Sequence, residues 1–203
     1  MLSLLKIVLR RPFLKKKQYL YYLQSVGYED MKKKYFILVL CFSLNMIFAQ
    51  TDVFDIARKG TVEEAMKVLE TNSESFNVKN SAGFSPLILA CYLGNTEVAK
   101  FLIEKGSDIN DKSNMGTALM AAVVKGNSGI VKLLLDKKAN VNIADANGTT
   151  ALIYAAMFKK NDIVGLLIKA NADLDCKDSQ GNSAVDYAIL ADDDELIEIL
   201  KTK

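Results

Sequence analysis

From residue 80 onward the apolar positions of this chain return at a fixed interval. Leu87 recurs as Leu119, Leu152 and Val185, at steps of 32, 33 and 33 residues. Ala90 recurs in the same register as Ala122, Ala155 and Ala188, and Val98 as Ile130, Ile163 and Leu196. The pair Phe101-Leu102 returns as Leu133-Leu134, Leu166-Leu167 and Ile199-Leu200. A polar run with one central aliphatic closes three periods: Asp108-Ile109-Asn110, Asn140-Val141-Asn142 and Asp173-Leu174-Asp175. Self-similarity at this period is the mark of a stacked array, so the repeat is the unit to explain.

Within one period the spacing predicts two helices and a turn. Ser85 offers an oxygen to orphan amides and Pro86 presets φ, so Ser85-Pro86 starts a helix. Thr150-Ala151 and Ser183-Ala184 do the same without the proline. Leu87, Ala90 and Cys91 then fall at i, i+3 and i+4, a short helix that Gly94 or Gly126 ends. A second helix follows, with Val98, Phe101 and Leu102 inward and Glu97 and Lys100 outward, and Gly106 stops it. The linker to the next unit suits an extended finger with a tight turn at Asn147-Gly148 or Gln180-Gly181. Neither helix can bury its apolar stripe alone, and stacking supplies the core.

A degenerate unit precedes these: Phe54, Ala57 and Val68-Leu69 align with Leu87, Ala90 and Phe101-Leu102, whereas its turn and finger, through Asn77, match poorly. Terminal units must show a polar face to water, which accounts for that unit and for the charged last helix. Asp192-Asp193-Asp194-Glu195 has the look of a cation site, but acids at a helix start cap it and oppose its dipole, which is the simpler reading.

These residues resemble the ankyrin repeats. The family pattern of a Gly, Thr-Pro-Leu-His, an Ala pair, a Gly, Leu-Leu and Gly-Ala-Asp-Val-Asn is met by Gly83, Ser85-Pro86-Leu87, Ala90, Gly94-Asn95, Phe101-Leu102, Gly106 and Asp108-Ile109-Asn110. The resemblance covers about residues 52–203 and implies an all-α repeat solenoid of helix-turn-helix units with β-hairpin-like fingers. The units are 52–79 (N-terminal cap), 80–112, 113–144, 145–177 and 178–203 (C-terminal cap). There are departures. The His of the pattern is Ile88, Met120, Ile153 and Asp186, so its hydrogen bonds between loops are expected to be missing and stability to be lower. The finger before Leu119 is one residue short, with Gly116 directly before Thr117. Lys138 and Asn171 replace the Gly that ends the longer helix, tolerable for Asn and mildly strained for Lys.

The resemblance also implies where a protein partner would bind: on the finger flanks and on the two positions before the turn that follows the short helix. Carried onto this chain, the partner-binding residues are Phe84, Tyr92, Leu93, Val124, Lys125, Thr149, Met157, Phe158 and Asn182, with Ser81, Ala82, Asn114, Asn147, Gln180 and Leu190 beside them. Large apolar side chains at nominally exposed positions mark interaction surfaces. The competing reading is that some, Leu93 and Phe158 above all, cover gaps between units.

Composition narrows the chemistry. The 203-residue chain has no His, which removes the commonest general base and zinc ligand, and Cys41, Cys91 and Cys176 show no CxxC spacing. Neither a catalytic residue, a metal site nor a cofactor is expected. The enzymatic alternative, Cys176 or the pair Asp173 and Asp175, lacks a base and a converging second group. With Cys176 about two units from Cys91, no internal disulfide is expected. The first 50 residues hold nine Lys and Arg against two acids, and 17 basic and 22 acidic residues follow, a net of −5. That excludes a nucleic-acid footprint on the repeats and favours a partner with a neutral or mildly basic surface. A monomer is expected.

Lys32-Lys33-Lys34, a 14-residue apolar run from Tyr35 to Phe48, and Ala49 read as a signal peptide over 31–49, cleaved after Ala49. The run is short of the roughly 20 residues a spanning helix needs, so an uncleaved membrane anchor is the lesser reading. Residues 1–30 are expected to come from a start assigned too early, with a membrane-facing basic helix as the competitor. The sequence therefore points to a periplasmic or secreted, non-catalytic interaction module, an inhibitor or immunity-type protein of the envelope. The alternative is a scaffolding protein tethered by an uncleaved anchor. Mass spectrometry of the native protein should give a first residue at Gln50, and any peptide from Ser3 to Asp30 would refute the misassigned start.

Overall fold

The computed structural model of the chain describes residues 52–71 and 75–201. The predicted signal segment 31–49 and the extension 1–30 lie outside the described residues. The described residues form five successive helix pairs: α1 (Val53–Lys59) with α2 (Val62–Thr71), α3 (Pro86–Leu93) with α4 (Thr96–Glu104), and α5 (Ala118–Lys125) with α6 (Ser128–Asp136). α7 (Ala151–Met157) with α8 (Asn161–Lys169) and α9 (Ala184–Leu190) with α10 (Asp194–Lys201) complete the series. Two short strands, β1 (Lys112–Ser113) and β2 (Gly116–Thr117), pair antiparallel in the finger before α5. None of these helices is long and apolar enough to cross a membrane.

Each inner helix starts for the reason the sequence supplies. The side-chain oxygens of Ser85, Thr117, Thr150 and Ser183 accept from the amides of Ile88, Met120, Ile153 and Asp186, at 3.3–3.4 Å. At the last of these the motif's His has become Asp186, whose Oδ2 accepts from the Ser183 amide at 2.8 Å and hydroxyl at 2.7 Å, so the departure closes a reciprocal cap. Asp193 caps α10 in the same way, its Oδ1 accepting from the Leu196 amide at 3.0 Å.

The equivalent apolar residues line up as rungs. α3 packs on α1 and α5, and α7 on α5 and α9, while the outer helices form a second stack beside them. Leu87, Leu119 and Leu152 are buried, and Val185, at the last rung, is half-buried. Ala90, Ala122, Ala155 and Ala188 expose nothing. A Cβ is all that fits where inner helices approach, and a larger side chain there would overpack by about 1–3 kcal/mol. From the outer helices, Leu102, Leu134, Leu167 and Leu200 close the same core.

The missing His does not leave the loops unjoined, because asparagines tie neighbouring units. Asn95 makes no cap bond to its own helix; its amide nitrogen donates to the carbonyls of Ile56 and Gly60, at 3.3 and 3.0 Å, at the end of the preceding inner helix. Asn127 does both jobs, accepting from the Ile130 amide and donating to Thr96 Oγ1. In the linkers, Asn110 Oδ1 accepts from the Asn140 amide and Asn142 Oδ1 from the Asp173 amide, at 2.8 and 2.9 Å.

The shortened finger closes differently from the others. Ser113 Oγ donates to the Gly116 carbonyl and accepts from the Met115 amide, making a two-residue turn. Gly116 has φ +97°, and a Cβ there would collide with the Met120 sulfur, so only glycine serves. Lys138 and Asn171 end α6 and α8 at φ +67° and +62°, and Lys159 and Asp192 follow α7 and α9 at +51° and +50°. A left-handed residue with a Cβ costs about 1–2 kcal/mol, partly offset by the entropy glycine loses on folding. Lys138→Gly should therefore raise the urea midpoint by the equivalent of about 0.5–1 kcal/mol, whereas Asn171→Gly should leave it almost unmoved; equal responses would refute the strain at Lys138.

Candidate partner-binding surface

Along the side of the array formed by fingers and inner helices, the last turn of each inner helix lies open. Tyr92 (41% exposed), Val124 (half-buried), Met157 (37%) and Leu190 (71%) occupy one register across four units. Leu93 (45%), Lys125 (exposed) and Phe158 (44%) occupy the next. The residue just before that row is buried in the inner units, as Cys91, Val123 and Ala156, so the change from core to surface is abrupt. In the last unit that residue is Ile189, 58% exposed.

Phe84, Thr149 and Asn182 share a different place, the closing residue of a finger. In these fingers an Asn or Asp at the first position folds the turn upon itself. Asn80 Oδ1 accepts from the amides of Ala82 and Phe84, Asp145 Oδ1 from Asn147 and Thr149, and Asp178 Oδ1 from Gln180 and Asn182, all at 2.8–3.0 Å. The amides of Asn80, Asp145 and Asp178 donate back to the carbonyls of Phe84, Thr149 and Asn182. Phe84 is half-buried and packs on the core, and Asn182 is half-buried. Thr149 is buried, which corrects its place among exposed contact residues: the turn draws its backbone amide onto Asp145 Oδ1, directly before the helix start at Thr150.

Two tyrosines fix the last two fingers, and single-residue reading overlooked them. The Tyr154 hydroxyl donates to Asp145 Oδ2 at 2.7 Å and the Tyr187 hydroxyl to Asp178 Oδ2 at 2.5 Å. Burial, followed by the Asp145 hydrogen bond and charge, pushes the Tyr154 hydroxyl up to about 12. The Tyr187 hydrogen bond, helped by the finger amides, holds the Asp178 carboxyl below its ordinary value. The Tyr154 ring also lies parallel to Phe158, centroids 6.2 Å apart and planes within 5°, so one side chain orders both a finger and a surface aromatic. The signal was an Asp followed nine residues later by a Tyr, at 145/154 and again at 178/187, one repeat apart.

The groups of the enzymatic alternative are not poised for chemistry. Burial, then hydrogen bonding and charge from Asp173 and the charge of Asp175, raises the Cys176 thiol, the reverse of an activated nucleophile. Burial alone pushes Cys91 up to about 12. Asp173 Oδ1 accepts from the Asp175 amide in a tight turn. Among the described residues, no group of three or more His, Cys, Asp or Glu could hold a metal ion.

The chain matches the family model described as Ankyrin repeats (3 copies) over residues 53–145 and again over 138–203. It is 32% identical over 102 residues to Ankyrin repeat and SAM domain-containing protein 6 of Rattus norvegicus, a match covering 49% of this chain and 12% of that protein. It is 32% identical over 110 residues to a Putative ankyrin repeat-containing protein of Treponema pallidum (strain Nichols), covering 53% and 37%. It is 38% identical over 103 residues to Probable E3 ubiquitin-protein ligase XBOS33 of Oryza sativa subsp. japonica, covering 49% and 20%. The matched segments thus span well under half the length of each relative.

Linkage at Asp178 has a defined sign. Its folded value is depressed, so its contribution is present above the ordinary carboxylate range and is lost as pH falls through the depressed value. Tyr187→Phe should move the Asp178 titration, followed by NMR, up toward the ordinary value and speed amide exchange at Gln180 and Asn182 in acid; an unmoved titration would show that the hydroxyl does not hold the carboxylate.

Proposed function

We propose, because the chain belongs to the ankyrin-repeat family, that it works by gripping another protein with the finger and inner-helix side of its array. Ankyrin repeats are general protein–protein interaction modules, and the fold is typically non-catalytic; the finer assignment to this chain is our own reading. The observation that carries it is the register of exposed apolar side chains, Tyr92, Leu93, Met157 and Phe158, immediately beside positions that are fully core. Exposing aromatic and thioether surface to water at two rungs of one row has no use for stability, and it is the composition of contact hot spots.

Support for an envelope setting comes from the sequence alone: the basic head, short apolar run and small residue over 31–49. In that setting the protein is a secreted or periplasmic binding partner, of inhibitor or immunity type, acting by occupying a surface of another exported protein. With the Cys176 thiol held protonated by burial and by the neighbouring Asp173 and Asp175, occupation is the chemistry its residues support.

Affinity capture from an envelope fraction, with residues 50–203 as bait, tests the reading. Tyr92→Ala with Phe158→Ala should abolish capture while leaving the melting temperature within about 2 °C, since surface truncations change stability by only ~0.5 kcal/mol. Phe84→Ala, which removes packing from the core, should lower the melting temperature. Unchanged capture by the double variant would overturn the proposed contact face.

A further inference from the structure

The average charge of the array conceals a local one of opposite sign. Acids outnumber bases 22 to 17 after residue 50, but the three registers of the exposed row, those of Tyr92, Leu93 and Gly94, carry Lys59, Lys125, Lys159 and Asp192 as their charged residues. The carboxylates of Asp145, Asp178 and Asp186 keep their charge but sit in the finger turns and the α9 cap, off these registers. Asp55 pairs with Arg58 at 2.8 Å. Lys59 is in register with Tyr92, Lys125 is in register with Leu93 and Phe158, and Lys159 follows Phe158 directly. All three are exposed and form no ion pair among the described residues; the Lys159 ammonium donates to the Ala191 carbonyl at 3.0 Å. Asp192 is the exposed acid at the far end of the row.

The row also has a pitch. Packed helices stand roughly 8–10 Å apart, so its four rungs repeat at about that distance. Seven residues of α-helix rise about 10.5 Å and return to the same face within about 20°. Three residues of extended strand rise about 10 Å but place the third side chain on the opposite face. A polyproline helix, about 9.3 Å per three residues, keeps the face. It offers one residue per turn, however, whereas adjacent exposed apolar pairs, Tyr92-Leu93 and Met157-Phe158, stand at two of the units.

We propose that this face takes an acidic amphipathic helix of the partner protein, with apolar residues seven apart along Tyr92, Val124, Met157 and Leu190 and carboxylates against Lys59, Lys125 and Lys159. The inference rests on the contact-face reading above and replaces the neutral or mildly basic partner that the net charge suggested. Peptide helices of about 21 residues, spanning three intervals of the row, are the probes, with one apolar heptad pattern and Glu, Lys or Gln at the remaining positions. A fourth, acidic peptide carries proline at every third residue. Anisotropy against the full chain should show the Glu helix binding at least tenfold tighter than the Lys helix, with Gln between. Lys59→Glu, Lys125→Glu and Lys159→Glu together should reverse that order, and Lys125→Glu alone should narrow it, with circular dichroism melting to confirm that both variants fold. Equal or tighter binding of the Lys helix, an order indifferent to charge reversal, tighter binding of the proline peptide, or no binding by any peptide would overturn the proposal. Tyr92→Ala with Met157→Ala separates the two levels. If the Glu helix binds this variant undiminished, the contact face itself is wrong; if binding is lost but charge never mattered, only the acidic partner is.

Discussion

A pair of short helices joined by a tight turn has an apolar stripe on each helix and too little surface to hide both. That insufficiency organises everything else in the repeat region. Leu87, Leu119 and Leu152 reach burial only because an equivalent residue stands on the next rung, and the alanine rungs at Ala90, Ala122, Ala155 and Ala188 set how closely rungs approach. Folding free energy therefore resides in the joints between units as much as within them, as nearest-neighbour accounts of repeat proteins require.

The joints are reinforced by polar ties that use each asparagine economically. Asn95 gives up its own cap to satisfy carbonyls at the end of α1, and Asn127 links two units while still capping α6. The Asn95 tie reaches backbone carbonyls at a helix end, and the Asn127 cap satisfies the Ile130 amide at a helix start, where an unmade bond is costly. Neighbouring units are thus tied by asparagines where the motif's histidines are absent.

How much of this could be read from the residues depended on how often each constraint recurs. The ladder and the inner-helix starts were legible because the same neighbours act on every unit, so Leu, Ala and Ser or Thr return on schedule. The tyrosine–aspartate bonds were not, since Tyr154 and Tyr187 provide two copies only and Ala121 and Leu89 stand in their place earlier. Thr149 was misplaced for a related reason: a family position names a flank, but the Asx turn at Asp145 decides whether that flank faces water. The net charge is blind to placement: it says nothing of Lys59, Lys125 and Lys159 standing in the registers of the exposed row with Asp192 as the acid among them.

The tyrosine bonds divide the fingers into two kinds. The last two are pinned through side chains to the helix that follows, while those headed by Asn80 and Ser113 are closed by local turn bonds. The earlier fingers lean on their successors instead, the Lys79 ammonium donating to the Lys112 carbonyl and the Ala146 amide to the Asn114 carbonyl. A visitor docking along the row would meet fingers braced before it arrived, by their own helix at one end and by the next finger at the other, and would forfeit little conformational entropy in ordering them.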